Sequence, residues 1–145
     1  MGVRRMDHLG IVVDDLDAAV AFFVVIGLEE GGRGQVEGEW VDRIVGLEGV
    51  KAELAFVGMP DGHGRLELVR FHSPPGVPGD QHAPSNLMGI RHVAFAVDDV
   101  DATVAALRDR GAELVGTVED YKDVYRLCYV RGPAGIIVEL AQPLS

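Results

Sequence analysis

The run His8-Leu9-Gly10-Ile11-Val12-Val13-Asp14-Asp15-Leu16-Asp17 returns 84 positions later as His92-Val93-Ala94-Phe95-Ala96-Val97-Asp98-Asp99-Val100-Asp101. The same offset carries Ala18 to Ala102, Val20 to Val104, Gly27 to Gly111 and Glu29 to Glu113. An internal duplication on this scale means that one small supersecondary unit is built twice. Each copy opens on a histidine and closes, far downstream, on a glutamate within an apolar strand, Leu66-Glu67-Leu68 in the first and Val138-Glu139-Leu140 in the second.

Residues 7–13 alternate and are rich in β-branched types, which predicts a strand, and Asp14 or Asp15 is placed to cap a helix directly after it. Leu16, Ala19, Val20 and Phe23 fall at i, i+3, i+4 and i+7, the buried stripe of a helix that Gly27 can end. A second strand is expected over 28–36. The segment 38–49 carries Trp40, Val41, Ile44 and Leu47 at helical spacing, as in a short helix or lid. Residues 51–57 and 65–71 alternate around the turn Pro60-Asp61-Gly62-His63-Gly64 and predict a hairpin. Prolines 74, 75, 78 and 84 with Gly76 and Gly79 give residues 73–88 the composition of a linker. The second copy then predicts strand over 91–97, a helix on Val100, Val104 and Leu107 closed by Gly111, and three strands over 112–119, 125–130 and 136–141.

The expected fold class is therefore α+β: two pseudo-symmetric βαβββ modules, about 5–72 and about 89–145, joined by the linker. Each sheet would bury one face on its helix, and together they would form a cupped, partly open mixed sheet with the helices outside.

With 48% hydrophobic and 25% charged residues the 145-residue chain reads as a globular domain, long enough to bury a core without disulfides. A formal charge of −10 argues against nucleic acid and anionic membranes as partners, because both require a basic face. No apolar run approaches the roughly 18 residues that would span a bilayer. Too few residues precede the first strand for a secretory leader, so a cytoplasmic address is expected. The lone Cys128 sits in an apolar strand and reads as an inert core thiol. Small molecules, metal ions or further copies of the chain are the expected partners.

Alternation places His8 on one strand face with Gly10 and Val12, while Leu9, Ile11 and Val13 point the other way. His92 likewise shares a face with Ala94 and Ala96, opposite Val93, Phe95 and Val97. The large residues suit a helix-packing face, whereas small residues beside each histidine leave room for something else to fit. Ionised carboxylates are rarely buried unless paired or metal-bound, so Glu67 and Glu139 are candidate site residues. Glu139 is the sharper case, since Arg65 could pair with Glu67 two residues along the same face. Asp14-Asp15 and Asp98-Asp99 are expected as helix caps, and His63, His72 and His82 as solvent-facing loop residues. Trp40, Met59, Tyr121, Tyr125 and Tyr129 are candidates to line a substrate pocket but are expected first in ordinary packing, with Tyr125, Leu127 and Tyr129 on one strand face if that strand alternates.

The paired His-x-x-x-x-Val-Asp-Asp openings, the Gly-Pro-x-Gly-Ile-Ile-Val-Glu-Leu ending and the duplicated βαβββ order resemble the vicinal oxygen chelate superfamily. That superfamily includes glyoxalase I, methylmalonyl-CoA epimerase, extradiol dioxygenases and fosfomycin or bleomycin resistance proteins. The resemblance implies metal ligands at His8, Glu67, His92 and Glu139, which leave two positions of an octahedron open on a divalent ion such as Zn²⁺, Ni²⁺, Co²⁺, Mn²⁺ or Fe²⁺. Resemblance to extradiol dioxygenases or fosfomycin resistance proteins would imply two histidines and one glutamate, and to methylmalonyl-CoA epimerase a glutamine at position 67. The His, Glu, His, Glu set is that of glyoxalase I-like proteins. It implies a metal-dependent lyase or isomerase acting through an enediolate, with Glu139 as first choice of base and Glu67 as second. No basic cluster suited to glutathione stands out. The alternatives are a protein that sequesters an aromatic or antibiotic-like ligand and an extradiol-type oxygenase. A homodimer is implied by the same resemblance.

Overall fold

A computed structural model describes residues 1–145. The chain divides into two compact units, Met1–Pro78 and Gly79–Ser145, and the division falls inside the proline-rich linker. The first unit holds β1 (Leu9–Val12), α1 (Leu16–Ile26), β2 (Glu29–Glu37), α2 (Glu39–Val45), β3 (Lys51–Gly58) and β4 (Arg65–Ser73). The second holds β5 (His92–Ala96), α3 (Val100–Arg108), β6 (Glu119–Tyr121), β7 (Tyr125–Arg131) and β8 (Ile137–Pro143). Each unit is a four-stranded mixed sheet, ordered β1-β4-β3-β2 and β5-β8-β7-β6, so the architecture is α+β with one topology used twice.

The opening strand of each copy pairs in parallel with the last, Leu9 with Leu66 and Ile11 with Leu68 in one, Val93 with Val138 and Phe95 with Leu140 in the other. Parallel pairing requires a crossover, and the intervening helix supplies it. Asp15 and Asp99 cap those helices, accepting the amides of Ala18 at 3.0 Å and Ala102 at 2.9 Å. The predicted stripe of α1 is buried as Leu16, Ala19, Val20 and Phe23, with Phe22 joining it. Fully enclosing Phe23 against the strands stabilises the unit by roughly 1.5–3 kcal/mol. Gly27, at φ +126°, ends α1 as expected: its amide and that of Leu28 both return to the Phe23 carbonyl. The helix of the second unit stops earlier, at Arg108, and Gly111 takes a left-handed turn after it.

Beyond the N-caps, the duplicated acidic run ties helices to strands. Asp17 accepts Arg33 at 2.6 Å, and its repeat Asp101 takes a two-pronged bond from Arg126, with both contacts at 3.0 Å. The arginines come from β2 in one unit and β7 in the other, so this tie was not copied with the sequence.

Three expectations are corrected. Residues 112–119 do not form a continuous strand: Leu114 makes an isolated bridge to Val130, and the regular strand β6 covers only Glu119–Tyr121. The amide of Val115 still bonds the Tyr129 carbonyl, but the chain turns aside at Gly116, which ends the ladder. His72 lies within β4, not in a loop, and pairs with Glu53 across the β3–β4 ladder. In the 38–49 segment only Val41 of the four apolar residues is buried; Trp40, Ile44 and Leu47 are exposed. Val41 packs with Val50, Ala52, Val36, Val69 and Phe71. Val69 and Phe71 alternate with Glu67, so α2 covers the far end of the face that carries Glu67, opposite to the α1 side. The carboxylate of Asp42 fastens the segment by accepting the amides of Gly49 and Val50. The second unit has no counterpart to α2.

Cys128 is buried at 2% exposure, and burial pushes its thiol pKa up, as befits an inert core residue. No helix is long and apolar enough to cross a membrane.

Candidate metal centre

Register brings the candidate residues together. In the first sheet Gly10, Glu67 and Phe56 lie in one row across β1, β4 and β3. In the second, Ala94, Glu139 and Tyr129 occupy the matching row across β5, β8 and β7. This fixes the face of β7: Tyr129 stands with Glu139, while Cys128 and Val130 turn into the core.

His8, just before β1, directs its Nε2 to within 3.7 Å of Glu67 Oε2. His92, the first residue of β5, directs its Nε2 to within 3.7 Å of Glu139 Oε1. The separation is too long for a hydrogen bond, and both pairs are partly open, the glutamate side chains being 25% and 23% exposed. The expected burial of the carboxylates is thus only partial, because the face opposite the helices is not closed over them. Adjacent donors around an octahedral ion with bonds near 2.1 Å stand about 3 Å apart, so a small inward rotation of either side chain would bring each pair into a chelating arrangement. Aromatic rings flank both imidazoles: Phe56 edge-on to His8 at 6.1 Å between centroids, and Tyr129 tilted against His92 at 5.1 Å. The small side chains at 10 and 94 keep the neighbouring row position open. No group of three or more His, Cys, Asp or Glu side chains gathers as a ready-made metal cluster, so each pair supplies at most half of a four-donor set.

The pairs differ in what stands behind the histidine. Nδ1 of His8 lies 2.7 Å from Oδ2 of Asp7. An Nδ1–H donated to that carboxylate leaves Nε2 as the lone-pair side, the tautomer a metal ligand needs. The hydrogen bond from His8, then those from Arg5 and Arg65, hold the Asp7 carboxyl down to about 2. Before His92 stands Arg91, whose guanidinium turns to the carbonyls of Ile90 and Pro84.

Asp7 and the role of Arg65 are not legible in the sequence. Asp7 is marked there only as the residue immediately before the first histidine, and coordinates alone reveal its bond to Nδ1. Arg65 does not pair with Glu67, as its spacing suggested; it bonds Asp7 at 3.3 Å and stacks on Phe56 with 4.1 Å from guanidinium carbon to ring centroid. Glu67 is thereby left to His8. Of the remaining histidines, His63 is exposed in the β3–β4 turn and His82 is exposed in the linker.

A family model described as glyoxalase/bleomycin resistance protein/dioxygenase superfamily matches residues 7–129. A solved structure of a glyoxalase family protein from Bacillus cereus is 47% identical, with a TM-score of 0.96 over 100% of this chain and 97% of that one. The trypanothione-dependent glyoxalase I of Leishmania major is 25% identical, with a TM-score of 0.67 over 97% of this chain and 87% of that one. An uncharacterized protein of Bacillus subtilis (strain 168), YwbC, is 29% identical over 142 residues, 96% of this chain and 98% of its own. With its two mixed sheets, its repeated histidine–glutamate pairs and a family match that runs from the residue before His8 to Tyr129, the chain belongs to the glyoxalase/bleomycin resistance protein/dioxygenase superfamily.

Proposed function

We propose that the chain is a divalent-metal-dependent lyase or isomerase of the glyoxalase type, in which His8, Glu67, His92 and Glu139 hold one ion. The observation that supports this reading is the facing of an imidazole Nε2 and a carboxylate oxygen at 3.7 Å at equivalent positions of both units. Two nitrogens and two oxygens suit Zn²⁺, Ni²⁺, Co²⁺, Mn²⁺ or Fe²⁺, with two positions left for adjacent oxygens of a small-molecule substrate. The likeness to the Leishmania major glyoxalase I is in keeping with that chemistry.

The ion would supply Lewis-acid polarisation of a substrate carbonyl, which acidifies the neighbouring C–H. Glu139 is the proposed base, since its carboxylate is partly open and the small Ala94 on the β5 side of its row, opposite Tyr129, leaves space for a carbon-bound proton at hydrogen-bond range. Glu67 is the second choice. Phe56 and Tyr129 form apolar walls beside the imidazoles, shielding the site from water on those sides. The four donors come from two modules, supplied by one chain or exchanged between two copies of a homodimer.

Metal analysis of protein purified without chelator tests the proposal. One ion per four-donor site is expected, lost in both His8→Ala and His92→Ala. Conversion of methylglyoxal with a thiol should vanish in Glu139→Gln while the ion is retained. Protein without stoichiometric metal, with His92→Ala indistinguishable from wild type in metal affinity, sinks the enzyme reading.

A further inference from the structure

An open groove of about 770 Å³ reaches Asp7, the partner of His8, in the first unit, lined by Arg5, Met6 and Asp7 on one side and by residues 62–65 on the other. In a chain of formal charge −10, this groove holds two arginines and the exposed His63 against one lining carboxylate, Asp7. Asp7 is shared: Arg5 reaches it at 3.1 Å and Arg65 at 3.3 Å, while its other strong contact goes to His8. Asp61, the nearby acid of the turn, lies 3.9 Å from His63. Among the lining side chains the two arginines exceed Asp7 by one charge, and Asp61, outside the lining, faces His63 instead of either arginine.

Arg65 is the fixed element. Its guanidinium rests on the Phe56 ring, a cation–π contact that sets the plane of the group, and its one hydrogen bond leaves most of its five N–H donors unused. Two residues along β4 on the same face stands Glu67, about 7 Å away along the strand. Phe56, on which Arg65 stacks, shares the row of Glu67. In the second sheet the residue two before Glu139 is Ile137, apolar and buried, so β8 has no counterpart of Arg65.

We propose that this groove is an anion subsite in which Arg65, supported by Arg5, takes a carboxylate or phosphoryl group at the far end of a substrate whose near end lies at His8 and Glu67. A planar fork of donors matches either oxyanion in two-pronged fashion. The substrate class is then a small two-oxygen chelator with an acidic group a few bonds beyond the chelating oxygens. The assignment of the near end rests on the metal reading; the groove's affinity for anions does not.

Calorimetric titration of Mn²⁺-loaded protein with 2-oxoglutarate and with 2-oxopentanoate isolates the distal acid, and 3-phosphohydroxypyruvate against hydroxypyruvate does so for a phosphoryl group. At least tenfold tighter binding of the acidic member is expected in one pair or both. Arg65→Met should reduce that gap to less than twofold at saturating Mn²⁺, and Arg65→Lys should fall between. No gap in either pair, or a gap that survives in Arg65→Met, overturns the proposal. If the protein binds no Mn²⁺, metal-free protein titrated with inorganic phosphate and followed by NMR decides the matter. Shifts at the amides of Gly62 and Gly64 that are lost in Arg65→Met uphold the groove while the metal reading falls; shifts that never appear, or that persist in the variant, overturn it.

Discussion

The imidazole of His8 is held from behind by Asp7, Nδ1 to Oδ2 at 2.7 Å, whereas His92 has Arg91 in the same position and no carboxylate behind its ring. Two halves with the same facing donors therefore orient their histidines by different means. Removing a partner that orients a ligating histidine typically lowers metal affinity 10–100-fold. Asp7→Ala should weaken the binding of Zn²⁺ or Mn²⁺ at least tenfold, and Asp7→Asn should weaken it less, because an amide oxygen still accepts from Nδ1–H. Competition against a chromophoric chelator measures this, and wild-type affinity in Asp7→Ala would remove Asp7 from the site.

Capping by Asp15 and Asp99 makes the duplicated acidic run a folding signal. Each carboxylate satisfies an amide in the first turn of its helix. Asp15→Ala and Asp99→Ala should each cost about 1 kcal/mol in urea unfolding, without a change in metal content. Equal stability of the variants and the wild type would show that water replaces the cap at no cost.

The tie between α3 and β7 carries a pH signature. Hydrogen bonding to Arg126 lowers the Asp101 carboxyl below its usual range, and Asp101 with Asp120 raises Arg126. A carboxyl lowered on folding stabilises above its unfolded value, near 4, and loses that contribution as pH falls through the depressed value. The stability difference between wild type and Arg126→Met should therefore be largest near neutrality and shrink as pH drops below about 4. Added salt should diminish it too, since the pair is exposed. A difference that does not vary with pH from 7 to 2 would mean that Arg126 acts through packing of its stem alone.

Gly135 sits where a side chain cannot. A Cβ there would come within 2.5 Å of the backbone of Gln81, and φ is +77°, so both the contact and the dihedral oppose substitution. Gly135→Ala should cost about 2 kcal/mol or more by chemical denaturation, because the neighbour is backbone and cannot rotate away. Gly116→Ala, with nothing within 4 Å of its Cβ position, should be close to neutral. Similar stabilities for the two variants would mean that the linker yields readily at Gln81.

Much of this molecule is written locally. The repeat of His8 at His92, the stripe of Leu16, Ala19, Val20 and Phe23, and the caps at Asp15 and Asp99 are short-range patterns, and period and capping chemistry suffice to read them. They determine two copies of a strand–helix opening and which face of each strand meets its helix. Local reading fails where long-range pairing overrides local preference: 112–119 stands where the repeat calls for a strand, yet only part of it finds a ladder on β7.

Tertiary structure alone decided which residues meet. Glu67 stands beside His8 because β4 pairs in parallel with β1, bringing together residues 59 positions apart in a register that neither strand specifies by itself. The same pairing places Arg65 over Phe56 and against Asp7, not on Glu67, since a guanidinium on a strand reaches across to its neighbours as readily as along its own chain. Residue types and their alternation are properties of the sequence; the pairing of a histidine with a glutamate, and of an arginine with a ring, is a property of the sheet.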